Sequence, residues 1–333
     1  MPYCSCHSAQ VMDSSHHDHA LAPGKPHGHG HGHHHGHHGH GVAAGRGRAF
    51  ALGAAINLGF VVAQVGFGLA ANSMALLADA AHNFADVLAL LLAWGAASLA
   101  SKPPTRLRTY GWGRSSILAA LFNAMVLLIS VGAIGVEALR RLASPAPVAT
   151  LTVMLVAAIG IVVNGGSALL FLRDREHDLN VRAQFVHLAA DAAIAAGVVV
   201  AAVAIRVTGW WWLDPLASLA IGAMIVASTW GVLRQSVDLA MDVVPAGVSH
   251  EAVQDWLAAL PGVTEVHDLH IWPLSTTETA LTAHLVYAGE TTDRRLHDLS
   301  AELGRRFGIG HATLQIESDA DAALCRLRPD DVV

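Results

Sequence analysis

Charge is scarce in this 333-residue chain: 14% of the residues are Asp, Glu, Lys or Arg, against about 25% in ordinary soluble domains. With 53% hydrophobic residues, that shortage excludes a soluble globular protein and identifies an integral membrane protein. The formal net charge is −6 with His neutral, so there is no basic footprint and no nucleic-acid partner is expected. Cysteine is nearly missing as well. Cys4, Cys6 and Cys325 lie at the chain ends in an odd number, which argues against a disulfide framework and fits a reduced compartment. The first 41 residues carry no apolar core of a secretory signal, so the N-terminus is expected to stay untranslocated. No HExxH occurs anywhere, which removes the usual signature of a zinc hydrolase.

What is present is a series of apolar runs. Six are long enough to cross about 30 Å of hydrocarbon, near residues 49–71, 74–99, 116–139, 149–172, 183–206 and 211–235. They predict a six-helix membrane bundle, broken at "AANS", "SKPPTRLRTYGWGR", "ASPAP" and "DREHDLN". Ten Lys and Arg near span ends (Arg46, Arg48, Lys102, Arg106, Arg108, Arg114, Arg173, Arg175, Arg182, Arg234) share one side with the N-terminus. Arg140, Arg141 and Arg206 lie on the other. The positive-inside rule then places both termini in the cytoplasm. "WWW" at 210–212 falls at the outer edge of the sixth span, where an aromatic belt is expected.

After about residue 242 the pattern becomes that of a soluble domain. A helix capped at Ser249 precedes two strand-like runs, "VTEVHDLHIWPL" and "TALTAHLVY"; an amphipathic helix, "TDRRLHDLSAELGRRFG", and a third strand, "HATLQIE", follow. The order αββαβ predicts one sheet covered by two helices, a ferredoxin-like or metallochaperone-like α+β fold. Three strands leave an edge or face to cover, which favours dimerisation. Domain boundaries are expected as a His-rich tail at 1–45, a transmembrane domain at 46–241, a cytoplasmic domain at 242–318 and a tail at 319–333.

A charged side chain at the centre of a span costs about 2.5–3.5 kcal/mol on translocon scales. The second span nevertheless holds Asp79, His82 and Asp86 on one helical face, spaced three, four and seven apart. The fifth holds His187 and Asp191, again four apart. At a rise of about 1.5 Å per residue, Asp86 lies about 18 Å from the outer side. Asp191 lies about 12 Å from the inner side by the same rise, so in a core of about 30 Å the two levels coincide. His82, Asp86, His187 and Asp191 can therefore form one four-ligand cage. Two imidazoles and two carboxylates suit tetrahedral Zn²⁺, and two carboxylates neutralise one divalent ion. When the ion leaves, protons can replace it, which is the physical basis of antiport. The competing reading, in which each pair only ties helices together by buried hydrogen bonds, needs two matched pairs at one depth by coincidence.

Asn180 and Gln184 continue the His187 face inward, and Asp79 lies one turn outward of His82. Two readings stay open for them. In one they form a polar pathway, Asn180 and Gln184 at the inner approach and Asp79 at the outer exit. In the other Asp79 caps or snorkels at its helix end and Asn180 caps the next helix.

Six spans with "LLADAAHNFAD", "NVRAQFVHLAAD", "LDPLASLAIG" and "PGVTEVHDLHIWPLSTTETALTAHLV" followed by "HATLQIE" resemble the cation diffusion facilitator family, in its bacterial zinc, cobalt and cadmium efflux branch. The likeness runs from about residue 49 to 318. It implies a homodimer that exports divalent metal from the cytoplasm in exchange for protons by alternating access. It also implies that His82, Asp86, His187 and Asp191 are the transport site, and His at positions 82 and 187 resembles the zinc-preferring pattern. Some members carry an extra site in the loop between spans two and three. Here "SKPPTRLRTYGWGR" has no His, Cys, Asp or Glu, so none is expected. The resemblance further implies a cytoplasmic zinc site, with His267, His284 and His297 on matching positions and Glu317 on an acidic one. Gln315 stands where some members have His. By strand alternation alone His267 and His270 lie on opposite faces, and His270 and Trp272 share one. Metal binding and structural hydrogen bonding both remain open for His267 and His284.

"HGHGHGHHHGHHGHG" at 27–41 belongs to a segment holding 13 of the 22 His. It is too Gly-rich to fold alone and resembles a metal-binding tract that raises local metal concentration near the inner mouth; a passive spacer is the alternative. "CSCH" at 4–7 adds soft donors. Zn²⁺ is the expected cargo and a candidate regulatory ion, with protons as counter-ion and the inner membrane of a bacterium as the location. Cd²⁺, Co²⁺ or Ni²⁺ is the alternative main substrate, and a membrane metal sensor without transport is the rival function. An enzyme is not expected, because four ligands close a shell that a catalytic zinc keeps open.

Overall fold

The computed structural model describes residues 44–172, 179–289, 292–322, 325 and 327, and for some residues near helix ends only the backbone. Six helices are long and apolar enough to cross a membrane: α1 (Ala44–Ala71), α2 (Met74–Ala100), α3 (Ser115–Ala143), α4 (Thr150–Phe171), α5 (Leu179–Thr208) and α6 (Leu213–Ala240). Each coincides with one of the apolar runs, so the chain is a multi-pass membrane protein. Helix α2 is central, touching α1, α3, α5 and α6, while α4 packs along α5 and α3 along α6. Large apolar side chains such as Ile129, Val162 and Val207 stay exposed on the outside of the bundle, as a lipid-facing surface requires.

Local chemistry sets the sharp joint between α1 and α2. Asn72, at φ 56°, ends α1 in the left-handed region that Asn tolerates. Ser73 then caps α2, its Oγ accepting from the Leu76 N–H at 3.2 Å. The buried Asp214 at the start of α6 accepts from the Ser73 hydroxyl and the Met74 N–H, both at 2.5 Å, which ties α6 to this joint. Arg141 at the end of α3 donates to the Asn72 carbonyl at 3.0 Å and to Asn72 Oδ1 at 2.6 Å. Gly68 lets α1 and α2 meet closely, because a Cβ there would stand 2.9 Å from Leu77 Cδ2.

The second region comprises α7 (His250–Ala258), β1 (Val263–Pro273), β2 (Thr279–Tyr287), α8 (Asp293–Phe307), β3 (Ile309–Glu317) and the short α9 (Asp319–Ala322). The sheet order is β1-β2-β3, with β1 antiparallel and β3 parallel to β2. Val253, Leu257 and Leu303 from the helices pack on Leu269, Ile271, Leu281, Ala283, Leu285 and Ile309. Both helices therefore cover one face of the sheet, and the residues alternating with this core, His284 among them, point to the other. The αββαβ order matches the expectation, and Ser249 caps α7 through its hydrogen bond from the Ala252 N–H at 3.2 Å.

One expectation is corrected by the strand pairing. His267 pairs with His284 and His270 with Thr282, with a register shift between them. The extra residue is a β-bulge at Asp268, whose φ is 51°. Because 284 and 282 are two apart on β2, His267 and His270 share a face rather than opposing one another.

The two regions meet at the α2–α3 loop. Arg114 pairs with Asp242 at 2.6 Å, the Thr276 N–H donates to Ser116 Oγ at 3.1 Å, and a Cβ on Gly113 would stand 2.7 Å from the Leu274 carbonyl oxygen.

Candidate metal centre

Antiparallel packing of α2 and α5 brings the two His–Asp faces together. His82 Nε2 lies 3.0 Å from Asp191 Oδ1 and 4.0 Å from Asp86 Oδ2. His187 Nε2 lies 3.6 Å from Asp86 Oδ2 and 3.7 Å from Asp191 Oδ2. The donor atoms of His82, Asp86 and Asp191 all fall within 4.8 Å of one another, and His187 stands at the rim beside both carboxylates. The His82 and His187 rings are 6.2 Å apart and nearly perpendicular, with an interplanar angle of 78°. Asp191 is buried at the base, with its side chain 5% exposed, while that of His187 is 43% exposed. Nitrogen and oxygen donors at these spacings form a cage that a small tetrahedral cation can draw tight.

A cavity of about 430 Å³ opens from this cluster, lined by Asp86, His187 and Asp191 and by Asn57, Asn83, Asn164, Phe60, Leu90 and Ala93. Along α2 it runs from Asn83 to Ala93, and along α5 from Asp191 back to His187. It therefore extends toward the ends of the bundle that carry the α+β domain. On the opposite side Gln64, Ser73, Asp79 and Asp214 are all buried. Asp79 does not snorkel, cap the helix or line the cavity: it is 2% exposed and accepts from Gln64 Nε2 at 2.5 Å. The reason is that a carboxylate inside a span needs a partner. Gln64 supplies it from α1 while its Oε1 accepts from Asn83 Nδ2 at 3.0 Å. Capping falls to Ser73 instead. Asn180 and Gln184 lie on α5, but their side chains are outside the described residues.

Sequence reasoning overlooked Asn57, Gln64, Asn83 and Asn164. The signal was available: Asn57 and Gln64 are seven apart on one face of an otherwise apolar span, and Asn164 is a lone amide in the fourth run.

The α+β domain holds a second cluster on its open sheet face. His284 Nδ1 is 2.9 Å from Glu317 Oε1, His267 Nε2 is 3.4 Å from Glu317 Oε2, and Cys325 Sγ is 3.6 Å from His284 Nδ1. One donor atom from each of these four residues lies within 4.8 Å of all the others. The remaining nitrogens face carboxylates: His267 Nδ1 is 3.4 Å from Glu265, and His284 Nε2 is 3.5 Å from Asp268. His297 is not brought to this cluster. It is exposed on α8, which packs on the other face of the sheet. Gln315 is next to the group and donates to Glu317 Oε1 at 2.7 Å. Cys325, Glu265 and Asp268 were not foreseen.

The family model for the cation efflux transmembrane domain matches residues 51–239, and that for the cation efflux protein cytoplasmic domain matches 245–319. The metal cation efflux system protein CzcD of Cupriavidus metallidurans is 35% identical over 270 residues, covering 79% of this chain and 85% of that protein. A cadmium, cobalt and zinc/H(+)-K(+) antiporter of Bacillus subtilis is 32% identical over 278 residues, 80% of this chain and 89% of its own length. The zinc transporter ZitB of Escherichia coli is 33% identical over 265 residues, with 79% and 84% covered. With the matched models spanning both regions and the His–Asp cluster set at the base of a cavity in a six-helix bundle, the chain belongs to the cation efflux family of membrane transporters and is not an enzyme.

Proposed function

We propose that this transporter exports divalent metal cations, Zn²⁺ foremost, from the cytoplasm in exchange for protons, using His82, Asp86, His187 and Asp191 as the cargo site. The observation that carries this reading is the convergence of two imidazoles and two carboxylates from α2 and α5 at the base of a polar-lined cavity. Two carboxylates neutralise one M²⁺, which offsets most of the cost of holding the ion within the bilayer. Departure of the ion leaves two negative charges that protons can neutralise, so metal and protons compete for one set of atoms. Alternating access then requires α2 and α5 to open the side now closed by Ser73, Asp214, Gln64 and Asp79, while Asn180 and Gln184 serve the inner approach. A homodimer in the inner membrane of a bacterium, with both termini and the His-rich tail in the cytoplasm, completes the proposal.

Zn²⁺ is favoured over Cd²⁺, Co²⁺ and Ni²⁺ by the His2Asp2 donor set and by the relative named as a zinc transporter. The relative named for cadmium, cobalt and zinc supports a broader range. Proteoliposomes holding the full chain under an imposed pH gradient, assayed with Zn²⁺, Cd²⁺ and Co²⁺, test the proposal. Expected is Zn²⁺ flux driven by the proton gradient, faster than Cd²⁺ or Co²⁺ flux and absent from the Asp191→Ala protein. Flux that ignores the gradient removes the antiport, and metal binding without flux turns the protein into a sensor.

A further inference from the structure

Transport through the bundle gives no role to the loop that joins α2 to α3. Residues 101–114 hold Lys102, Arg106, Arg108 and Arg114 and no acidic residue. Arg114 is taken by Asp242 at 2.6 Å. The other three are exposed and have no carboxylate partner among the described residues. Arg108 sets its guanidinium 3.9 Å from the centre of the Trp112 ring, a contact that leaves its charge in place. The Thr105 N–H donates to the Arg108 carbonyl at 3.0 Å, and the Arg108 N–H to the Thr105 carbonyl at 3.1 Å. This reciprocal pair closes a two-residue turn with Arg106 and Leu107 at its tip. Leu107 is 93% exposed, more than any other large apolar side chain among the described residues. Just beyond, the chain is docked on the α+β domain: the Tyr110 ring stands edge-on to His311 at 5.5 Å, and Arg114 meets Asp242. Pro103 and Pro104 stiffen the approach from α2. The base of the loop is therefore fixed while its tip projects.

We propose that this tip is an anchor for anionic phospholipid of the membrane that the chain spans, with Lys102, Arg106 and Arg108 on the phosphate headgroups and Leu107 entering the acyl boundary. Three cations with no acid among them complement an anionic surface. A leucine at the apex, flanked by arginines with long apolar stems, suits the boundary between headgroup and hydrocarbon better than a soluble acidic partner. The site is also within reach. Arg106 lies six residues beyond Ala100, the end of α2, and so at most about 20 Å from the end of a membrane-spanning helix. Bound there, the turn fastens to the membrane surface the one loop that links α2, the helix of His82 and Asp86, to the α+β domain. The proposal stands independently of the cargo site, since it needs neither metal nor flux.

The test uses the full chain with its three cysteines, Cys4, Cys6 and Cys325, changed to Ser and with Leu107→Cys carrying a nitrobenzoxadiazole fluorophore. The protein is reconstituted in vesicles of phosphatidylcholine alone or with about one-third phosphatidylglycerol, each with a quencher attached to the lipid acyl chain. Each cation near an anionic surface is worth roughly fivefold in the ratio of bound to free turn. Expected in the anionic vesicles is a blue-shifted, quenched probe, with that ratio on the order of 100-fold above its value in phosphatidylcholine. Arg106→Gln should lower the ratio about fivefold, and Lys102→Gln with Arg106→Gln and Arg108→Gln should return it to the phosphatidylcholine value. A measurement without these substitutions keeps the test sound where they impair folding: salt at about 1 M cuts the Debye length to about 3 Å and should release the turn. Equal quenching in both vesicles, or quenching indifferent to salt, overturns the anionic-lipid anchor. A blue shift without quenching means burial against protein, such as a second copy of the chain, and overturns it equally.

Discussion

The two His–carboxylate clusters of this protein differ in what holds them. The transmembrane donors come from two helices bridged by the 3.0 Å contact of His82 Nε2 with Asp191 Oδ1, and His82 Nδ1 has no hydrogen-bond partner among the described residues. In the sheet cluster, His267 and His284 are paired neighbours on hydrogen-bonded strands, each backed by an outer carboxylate, with Glu317 on the adjoining strand. A site whose halves can slide apart suits an ion that must leave, and one set in a sheet with fixed ring orientation suits an ion that stays. In the function proposed here, the same residue types serve exchange in the bundle and retention on the sheet, and the supporting structure decides which.

The sharpest way to break that contrast is to remove one donor from each cluster. Asp191→Ala takes away the buried base of the transmembrane cage and should lower Zn²⁺ flux by about 100-fold or more, given that outer partners alone are worth about 10- to 100-fold. Zn²⁺ bound at the sheet cluster is expected to leave slowly to a chelator, and that slow phase should persist in that protein. His284→Ala should do the reverse, abolishing the slow phase while flux stays within about threefold, a free-energy change of under about 1 kcal/mol. If either substitution removes both properties, the two clusters are one functional unit and the contrast fails.

A smaller effect is expected on the closed side of the bundle. Gln64 is fully buried and is the partner of both Asp79 and Asn83. Gln64→Leu keeps the approximate volume but leaves a carboxylate and an amide within the span without their bonds. Losing hydrogen bonds to a charged group should cost about 1.5–3 kcal/mol, seen as a lower thermal midpoint in detergent. An unchanged midpoint would mean that water or another side chain replaces Gln64, and that the closed side is looser than its distances imply.

These features were unequally legible beforehand. The six spans and the αββαβ order follow from local periodicity, which a sequence displays directly. The His–Asp spacing on α2 and α5 is likewise local, and depth counting brought the two faces to one level. Partners across helices are another matter: Gln64 pairs with Asp79 because of how α1 is rotated against α2, and no spacing within either helix encodes that rotation. The bulge at Asp268 was hidden for a similar reason. Strand alternation assumes an unbroken register, and one inserted residue moved His270 to the face of His267. Cys325 was read for disulfides because it lies eight positions beyond Glu317, outside any strand or long helix, and only the turn through α9 returns it to the sheet.

The finest test of the contrast concerns Asp268, which stands behind His284 rather than within the four-residue sheet cluster. Its backbone is left-handed at φ 51°, a conformation that few residues other than Gly, Asn and Asp adopt without strain. Its carboxylate lies 2.9 Å from His270 Nε2 and 3.5 Å from His284 Nε2. Asp268→Asn keeps the tolerated backbone and nearly the same shape while removing the negative charge behind His284. If outer carboxylates are what make the sheet site retentive, Zn²⁺ release from it should quicken about tenfold, at the lower end of the range for such partners, with flux unaltered. If release keeps its rate, retention comes from the strands alone, and the difference between the two clusters reduces to the rigidity of a sheet against the mobility of two helices.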